Sequence, residues 1–96
     1  MKLKNDRFRK ARGGYARLLE ISCASCNTKL FTYQKDGPGI IKRLYTDRID
    51  EELHTNTLTC KNCGTIIGSL IIYEKENRPA YIIFIGKIKK KIMRDI

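Results

Sequence analysis

The chain has 96 residues, with 20 Lys and Arg against 10 Asp and Glu, a net charge of +10. That length is one domain near the lower edge of self-sufficient folding, and it excludes large enzyme architectures such as an eight-fold β/α barrel of about 250 residues. At 42% hydrophobic and 31% charged the chain is not disordered throughout, and its longest apolar run, Ala80 to Ile85, is far short of the ~20 residues of a membrane helix.

Residues 1–14, MKLKNDRFRKARGG, have four scattered apolar points and end in the breaker pair Gly13-Gly14. They read as a basic flexible arm, with a short helix over Asn5–Arg12 as an alternative. Residues 15–96 form the domain proper. Tyr15 to Ser22 alternates and leads into the first cysteine pair as a strand, and Thr28 to Gln34, aromatic and β-branched, is the return strand. Lys35-Asp36-Gly37-Pro38-Gly39 is a turn. Between Ile40 and Leu53, apolar residues recur every four positions, but the first six also alternate. Strand or irregular structure is expected over 40–45 and a helical turn over 47–53. Thr55 to Thr59 and Thr65 to Tyr73 are strands entering and leaving the second cysteine pair, and Glu74 to Pro79 is a polar turn. Ala80 to Met93 is expected as the second arm of a hairpin that runs out to solvent from Lys87 through Lys91. A helical turn over Ile88–Ile96 is the alternative at that end. The fold class is mainly β: a small domain of two antiparallel hairpins or sheets, with a short helical turn within 40–53 as the exception.

Charge sits on the two ends. Residues 1–17 hold seven basic side chains against Asp6, a net of +6, and residues 87–96 hold five against Asp95, a net of +4. The stretch 18–86 balances to zero. A neutral body with basic extremities suits a partner with a phosphate backbone; the plainer reading is that basic termini confer solubility. No apolar stretch behind the N-terminus marks a secretory signal, and a cytoplasmic location is expected.

Cys23-x2-Cys26 and Cys60-x2-Cys63 carry the chemistry. A C-x2-C turn folds two sulfurs onto one cation, and two turns complete a tetrahedral thiolate site, which selects zinc or iron over magnesium or calcium. CASCNTKL and CKNCGTII share C-x2-C-x-T-x-[LI], a repeated knuckle rather than a repeated domain. One structural Zn²⁺ is expected. Two disulfides, a redox dithiol and a rubredoxin-like iron site are the alternatives. Four thiolate ligands leave no open position for water or substrate and no spare cysteine nucleophile, so no enzyme activity is expected. His54, the only histidine, has no partner motif and reads as a surface or loop residue.

Cys60-Lys61-Asn62-Cys63-Gly64-Thr65-Ile66-Ile67-Gly68, followed by strand, polar turn and strand, resembles the second knuckle of the yippee-type β-tent family. Ordinary zinc ribbons share the C-x2-C-G part. The resemblance covers roughly residues 15–90 and implies two small sheets packed around a core, pinned at one end by zinc through Cys23, Cys26, Cys60 and Cys63. Methionine-sulfoxide reductases and formaldehyde-activating enzymes share the β-tent fold. This chain lacks the extra cysteines those activities require, which implies a place among non-catalytic binding members.

Two functions follow as expectations. One is a module that binds nucleic acid, RNA in particular, by backbone contacts. Lys2, Lys4, Arg7, Arg9, Lys10 and Arg12 would serve at one end and Lys87, Lys89, Lys90, Lys91 and Arg94 at the other, with Arg43 and Arg48 as additions and Tyr33 or Tyr45 available for stacking. The other is an adaptor that binds an acidic protein or adds a strand at a sheet edge. A monomer is expected, with no small-molecule substrate and no membrane partner.

Overall fold

A computed structural model describes residues 3–93. Apart from a five-residue helix and a short 3₁₀ turn, the regular structure is β. In chain order come α1 (Arg7–Ala11), β1 (Ala16–Cys23), β2 (Lys29–Asp36), β3 (Arg43–Tyr45), a 3₁₀ turn (Thr46–Arg48), β4 (Thr57–Thr59), β5 (Ile66–Tyr73), β6 (Arg78–Ile83) and β7 (Ile88–Ile92). Two antiparallel sheets result, ordered β2-β1-β7 and β3-β6-β5-β4. The mainly β class with two antiparallel sheets, read from the sequence, is the one observed.

Alternation builds the core. In β1 the inward residues Leu19, Ile21 and Cys23 are buried and their neighbours are not. The second sheet contributes Leu44, Leu58, Ile67 and Tyr81, and the Tyr81 hydroxyl donates to the Thr55 carbonyl (2.7 Å), which satisfies its one buried polar atom. β2 breaks alternation: Leu30 through Gln34 are all buried. Its outer edge is covered by later chain. The Thr32 amide donates to the Asp50 carboxylate (2.9 Å), the Asp50 amide donates to the Thr32 carbonyl (3.0 Å), and Tyr33 bridges Ile49. At Gly68, where β5 passes β6, an added Cβ would lie 2.3 Å from the Ile82 carbonyl oxygen, so the two strands close only around a glycine.

The C-terminal segment departs from expectation. Through Met93 the chain stays on the sheet. It leaves β6, turns over Phe84–Lys87, and returns as β7 along the open side of β1, pairing Cys23 with Ile88 through Leu19 with Ile92. The unpaired amides and carbonyls of β1 are the cause; a run of lysines is compatible with an edge strand because half of its side chains point away from the core. The expected turn at 35–39 also starts later, since β2 continues through Asp36.

Opposite the cysteine turns, both sheets end in one ion-pair network. Arg48, fully buried, donates from Nε to Asp36 (2.9 Å) and from Nη2 to Asp6 (2.6 Å). Asp47 links it to Arg78, which pairs with Glu76, which pairs with Arg12. The Arg78 guanidinium lies between the rings of Phe8 (3.9 Å) and Tyr45 (3.8 Å). Through Asp6, Phe8 and Arg12 the segment read as a flexible arm lies against the body. Asp6 caps α1 from its side chain, and the Lys4 main chain exchanges two hydrogen bonds with the Gln34 amide. Hydrophobic periodicity gives no sign of this docking, because charged and aromatic groups make it.

Candidate metal centre

The two cysteine turns are geometric copies 37 positions apart. In the first, the Cys23 amide donates to the Thr28 carbonyl (2.9 Å) and the Asn27 amide to the Cys23 carbonyl (2.8 Å). In the second, Cys60 donates to Thr65 (2.9 Å) and Gly64 to the Cys60 carbonyl (3.0 Å). The residue after each second cysteine is left-handed, Asn27 at φ 63° and Gly64 at φ 79°, as residues without a branched Cβ allow. Each entering strand also shifts register just before its turn, at Ile21/Ser22 and at Leu58/Thr59. Sequence repetition therefore reports a repeated backbone.

The four sulfurs lie within 4.8 Å of one another. Cys23 and Cys63 are 3.7 Å apart and Cys26 and Cys60 3.6 Å apart, each pair spanning the two turns. A tetrahedron with metal–sulfur arms of ~2.3 Å has edges of ~3.8 Å, so the cluster has the dimensions of a four-thiolate site. All four cysteines are free, and the separations are far longer than a disulfide bond. Cys23 and Cys60 are buried, Cys26 is half-buried and Cys63 is exposed.

Hydrogen bonds prepare thiolates. The Thr28 hydroxyl, then the Asn62 side chain, hold the Cys26 thiol down to about 6. The Thr65 hydroxyl, 3.1 Å from the Cys63 sulfur, lowers Cys63 in the same way. Cys60 receives hydrogen bonds from the amides of Cys63 and Asn62, yet burial and the neighbouring Cys26 and Cys63 thiols push it up. Four thiolates this close repel unless a cation sits among them. Soft, closed and tetrahedral, the donor set fits one transition-metal ion. His54 stays apart, exposed and beside Glu52 (3.6 Å).

The basic residues singled out from the sequence divide into three groups. Lys2 and Arg94 lie outside the described residues. Arg48, Arg12 and Arg43 carry structural contacts: Arg48 is fully buried in the ion-pair network, which removes it from any phosphate-binding set; Arg12 is paired with Glu76; Arg43 stacks on the Tyr73 ring at 4.0 Å. Lys4 donates from Nζ to the Asp47 carbonyl. Among the described residues, Arg7, Arg9 and Lys10 on α1 and Lys87, Lys89, Lys90 and Lys91 around β7 make no ion pair with a carboxylate. Tyr33 and Tyr45 are buried and offer no stacking face; the main-chain amide of Tyr45 donates to the Tyr33 hydroxyl (3.0 Å).

Arg17, Lys35 and Lys42 are not among the contact residues read from the sequence. The fold gathers them with Arg12, Arg43 and Lys90 around the loop at 37–42, where two neighbouring cavities share Lys35, Gly37 and Pro38 in their walls. Of the three, Lys35 and Lys42 belong to the electrically neutral middle of the chain, so a charge count by segment hides them. Comparison of the chain with models of protein families, with curated proteins and with solved structures finds no match. No helix among the described residues is long and apolar enough to cross a membrane.

Proposed function

We propose that the chain is a non-catalytic module that holds one structural Zn²⁺ and binds nucleic acid, RNA in particular. Zinc is favoured because four thiolates at tetrahedral spacing satisfy it completely and leave no position for substrate. The kinship with yippee-type β-tent proteins belongs to this proposal, on the strength of two sheets joined at one end by two C-x2-C turns.

The observation that carries the nucleic-acid reading is the meeting of cations from three parts of the chain. Arg17 comes from the N-terminal part, Lys35 and Lys42 from the middle and Lys90 from β7, all around the loop at 37–42, where Arg12 and Arg43 also lie but are held by Glu76 and by the Tyr73 ring. Further exposed cations lie on β7, where Lys89 and Lys91 face the other side of the strand from Lys90, and on α1. A surface of this kind neutralises phosphates and releases counterions. The test is RNA binding as a function of salt. Replacing Lys89, Lys90 and Lys91 by Gln should weaken binding and flatten the slope of log K against log salt by about 0.7 for each phosphate that is no longer neutralised. Salt-independent binding, or a slope that ignores these substitutions, would remove the reading. The alternative, an adaptor, rests on the exposed Phe84 and Ile85 between β6 and β7. It would show as protein free of RNA at low salt that keeps its partner after the lysine substitutions.

A further inference from the structure

We infer that the cavity between β1, the end of β2, the loop at 37–39 and β7 is a binding pocket for a terminal phosphate monoester. It deepens the nucleic-acid reading and rests on it for the identity of the strand that would carry the phosphate.

The cavity has a volume of about 490 Å³. Arg17, Lys35 and Lys90 are its charged wall, and among the described residues no carboxylate lines it. Sheet register puts the three on one face. Arg17 and Lys35 are direct cross-strand partners, and Lys90 pairs with Ile21, which shares the face of Leu19 and Arg17. Like charges directly opposite each other across a strand pair are destabilising. Here the repulsion is compounded by burial: the Lys35 ammonium lies half-buried, donates to the Gly37 carbonyl (2.6 Å), and is held below its ordinary value by desolvation, then by Lys90, Arg17 and Arg12. Asp36 pulls the other way on Lys35 but does not line the cavity, so an anion that enters it meets three cations and relieves their repulsion.

Charge and shape select the anion. A phosphodiester carries one negative charge and continues in both directions, whereas a terminal phosphate monoester carries about −1.5 to −2 and ends the chain. Three cations around a concavity match the latter. Of the rest of the wall, Leu19, Pro38 and Ile92 are an apolar surface for the nucleoside attached to the phosphate, Gly37 and Gly39 leave room beside it, and the Tyr15 ring holds the Arg17 guanidinium at 4.9 Å. Two sources offer that chemistry, a free nucleoside monophosphate and the 5′ end of a strand.

The experiment compares adenosine 5′-monophosphate with adenosine, and a short RNA bearing a 5′-phosphate with the same RNA bearing a 5′-hydroxyl. The proteins are the zinc-loaded parent, Lys35→Gln, Lys90→Gln and, as a control outside the cavity, Lys75→Gln. The parent should bind the monophosphate and not the nucleoside, and should hold the 5′-phosphate RNA about tenfold or more tightly than the hydroxyl form. Either cavity substitution should erase that preference, and Lys75→Gln should keep it. Lys35→Gln should also melt at or above the parent temperature, because a repulsion has been removed; Lys90, on an edge strand, gives a second variant independent of β2. Equal affinity for the two RNAs, lowered alike by both substitutions, would overturn the pocket while leaving backbone binding intact. Binding of the monophosphate with no binding of RNA at any salt would do the reverse. Indifference to both monophosphate and 5′-phosphate RNA would overturn both.

Discussion

The two ends of this domain are fastened by different chemistry. At one end, two short turns, Cys23 to Thr28 and Cys60 to Thr65, bring four sulfurs together. At the other, Asp6, Arg12, Asp36, Asp47, Arg48, Glu76 and Arg78 assemble from four separate segments. β2 and β5 each run eight residues between the two ends, about 25 Å of extended chain. Each half of the first fastening is local in sequence and the halves repeat; the second is non-local throughout and occurs once. A domain of this size gains from clamps at both ends, because its core alone supplies little net stability.

The largest expected effect lies at the cysteine end. If the proposed metal is bound, Cys60→Ser, or treatment with a chelator, should abolish the cooperative thermal transition, since metal binding, about 10–16 kcal/mol for structural zinc in small peptides, is folding free energy. Retention of a cooperative melt near the parent temperature would show that the ion-pair end and the core suffice. Next comes Arg48→Met, which strands Asp36 and Asp6. It should cost about 3–5 kcal/mol in urea unfolding while metal content stays at one ion per chain. Loss of metal in that variant would mean that the ends are coupled rather than independent.

A smaller effect separates the ends by pH. The hydrogen bond from Arg48 holds Asp6 well below the usual carboxylate range. Burial acts to raise Glu76, but the hydrogen bonds from Arg12 and Arg78 outweigh it and leave Glu76 lowered. A depressed carboxylate binds fewer protons folded than unfolded, so its stabilisation is present above the unfolded pKa and is lost as pH falls through the folded one. Stability should therefore decline below the unfolded reference values of 4.5 for Glu76 and 3.8 for Asp6. Thiolate protonation and metal release add to that decline. The share due to Asp6 is the part of the slope that disappears in Arg48→Met; an unchanged slope would leave acid sensitivity to Glu76, which Arg12 and Arg78 hold down, and to the cysteines.

The smallest effect probes the repetition itself. Asn27 and Gly64 hold equivalent left-handed positions. Asn27→Gly should change stability by only a few tenths of a kcal/mol, while Gly64→Val, branched at a positive φ, should cost about 1–2 kcal/mol. Equal effects at the two sites would break the equivalence of the turns.

How legible each end is follows from this difference. Cys23, Cys26, Cys60 and Cys63 announce themselves because a knuckle needs fixed residue types at fixed short spacing, and Thr28 and Thr65 repeat with them. Nothing comparable marks Arg48. On sequence grounds it is one basic residue among twenty. Its burial is decided by the distant Asp6 and Asp36, so reading it as an exposed phosphate contact is wrong. Tyr33 and Tyr45 fail as stacking faces for the same reason, since both are interior. Lys87 through Lys91 read as a tail because polarity by itself does not reveal an edge strand; the partner that holds it, β1, lies near the other end of the chain.

By itself the sequence determined the β class, most strand positions, the two turns and the four sulfur ligands. Those depend on alternation and on short-range backbone geometry, which neighbouring residues encode. Tertiary structure alone decided the return of β7 to the first sheet, the docking of residues 4–12, the burial of Arg48 and the gathering of Arg17, Lys35 and Lys90. Each of these depends on pairing between segments far apart in the chain, where free backbone edges and unpaired charges find partners that no local pattern specifies.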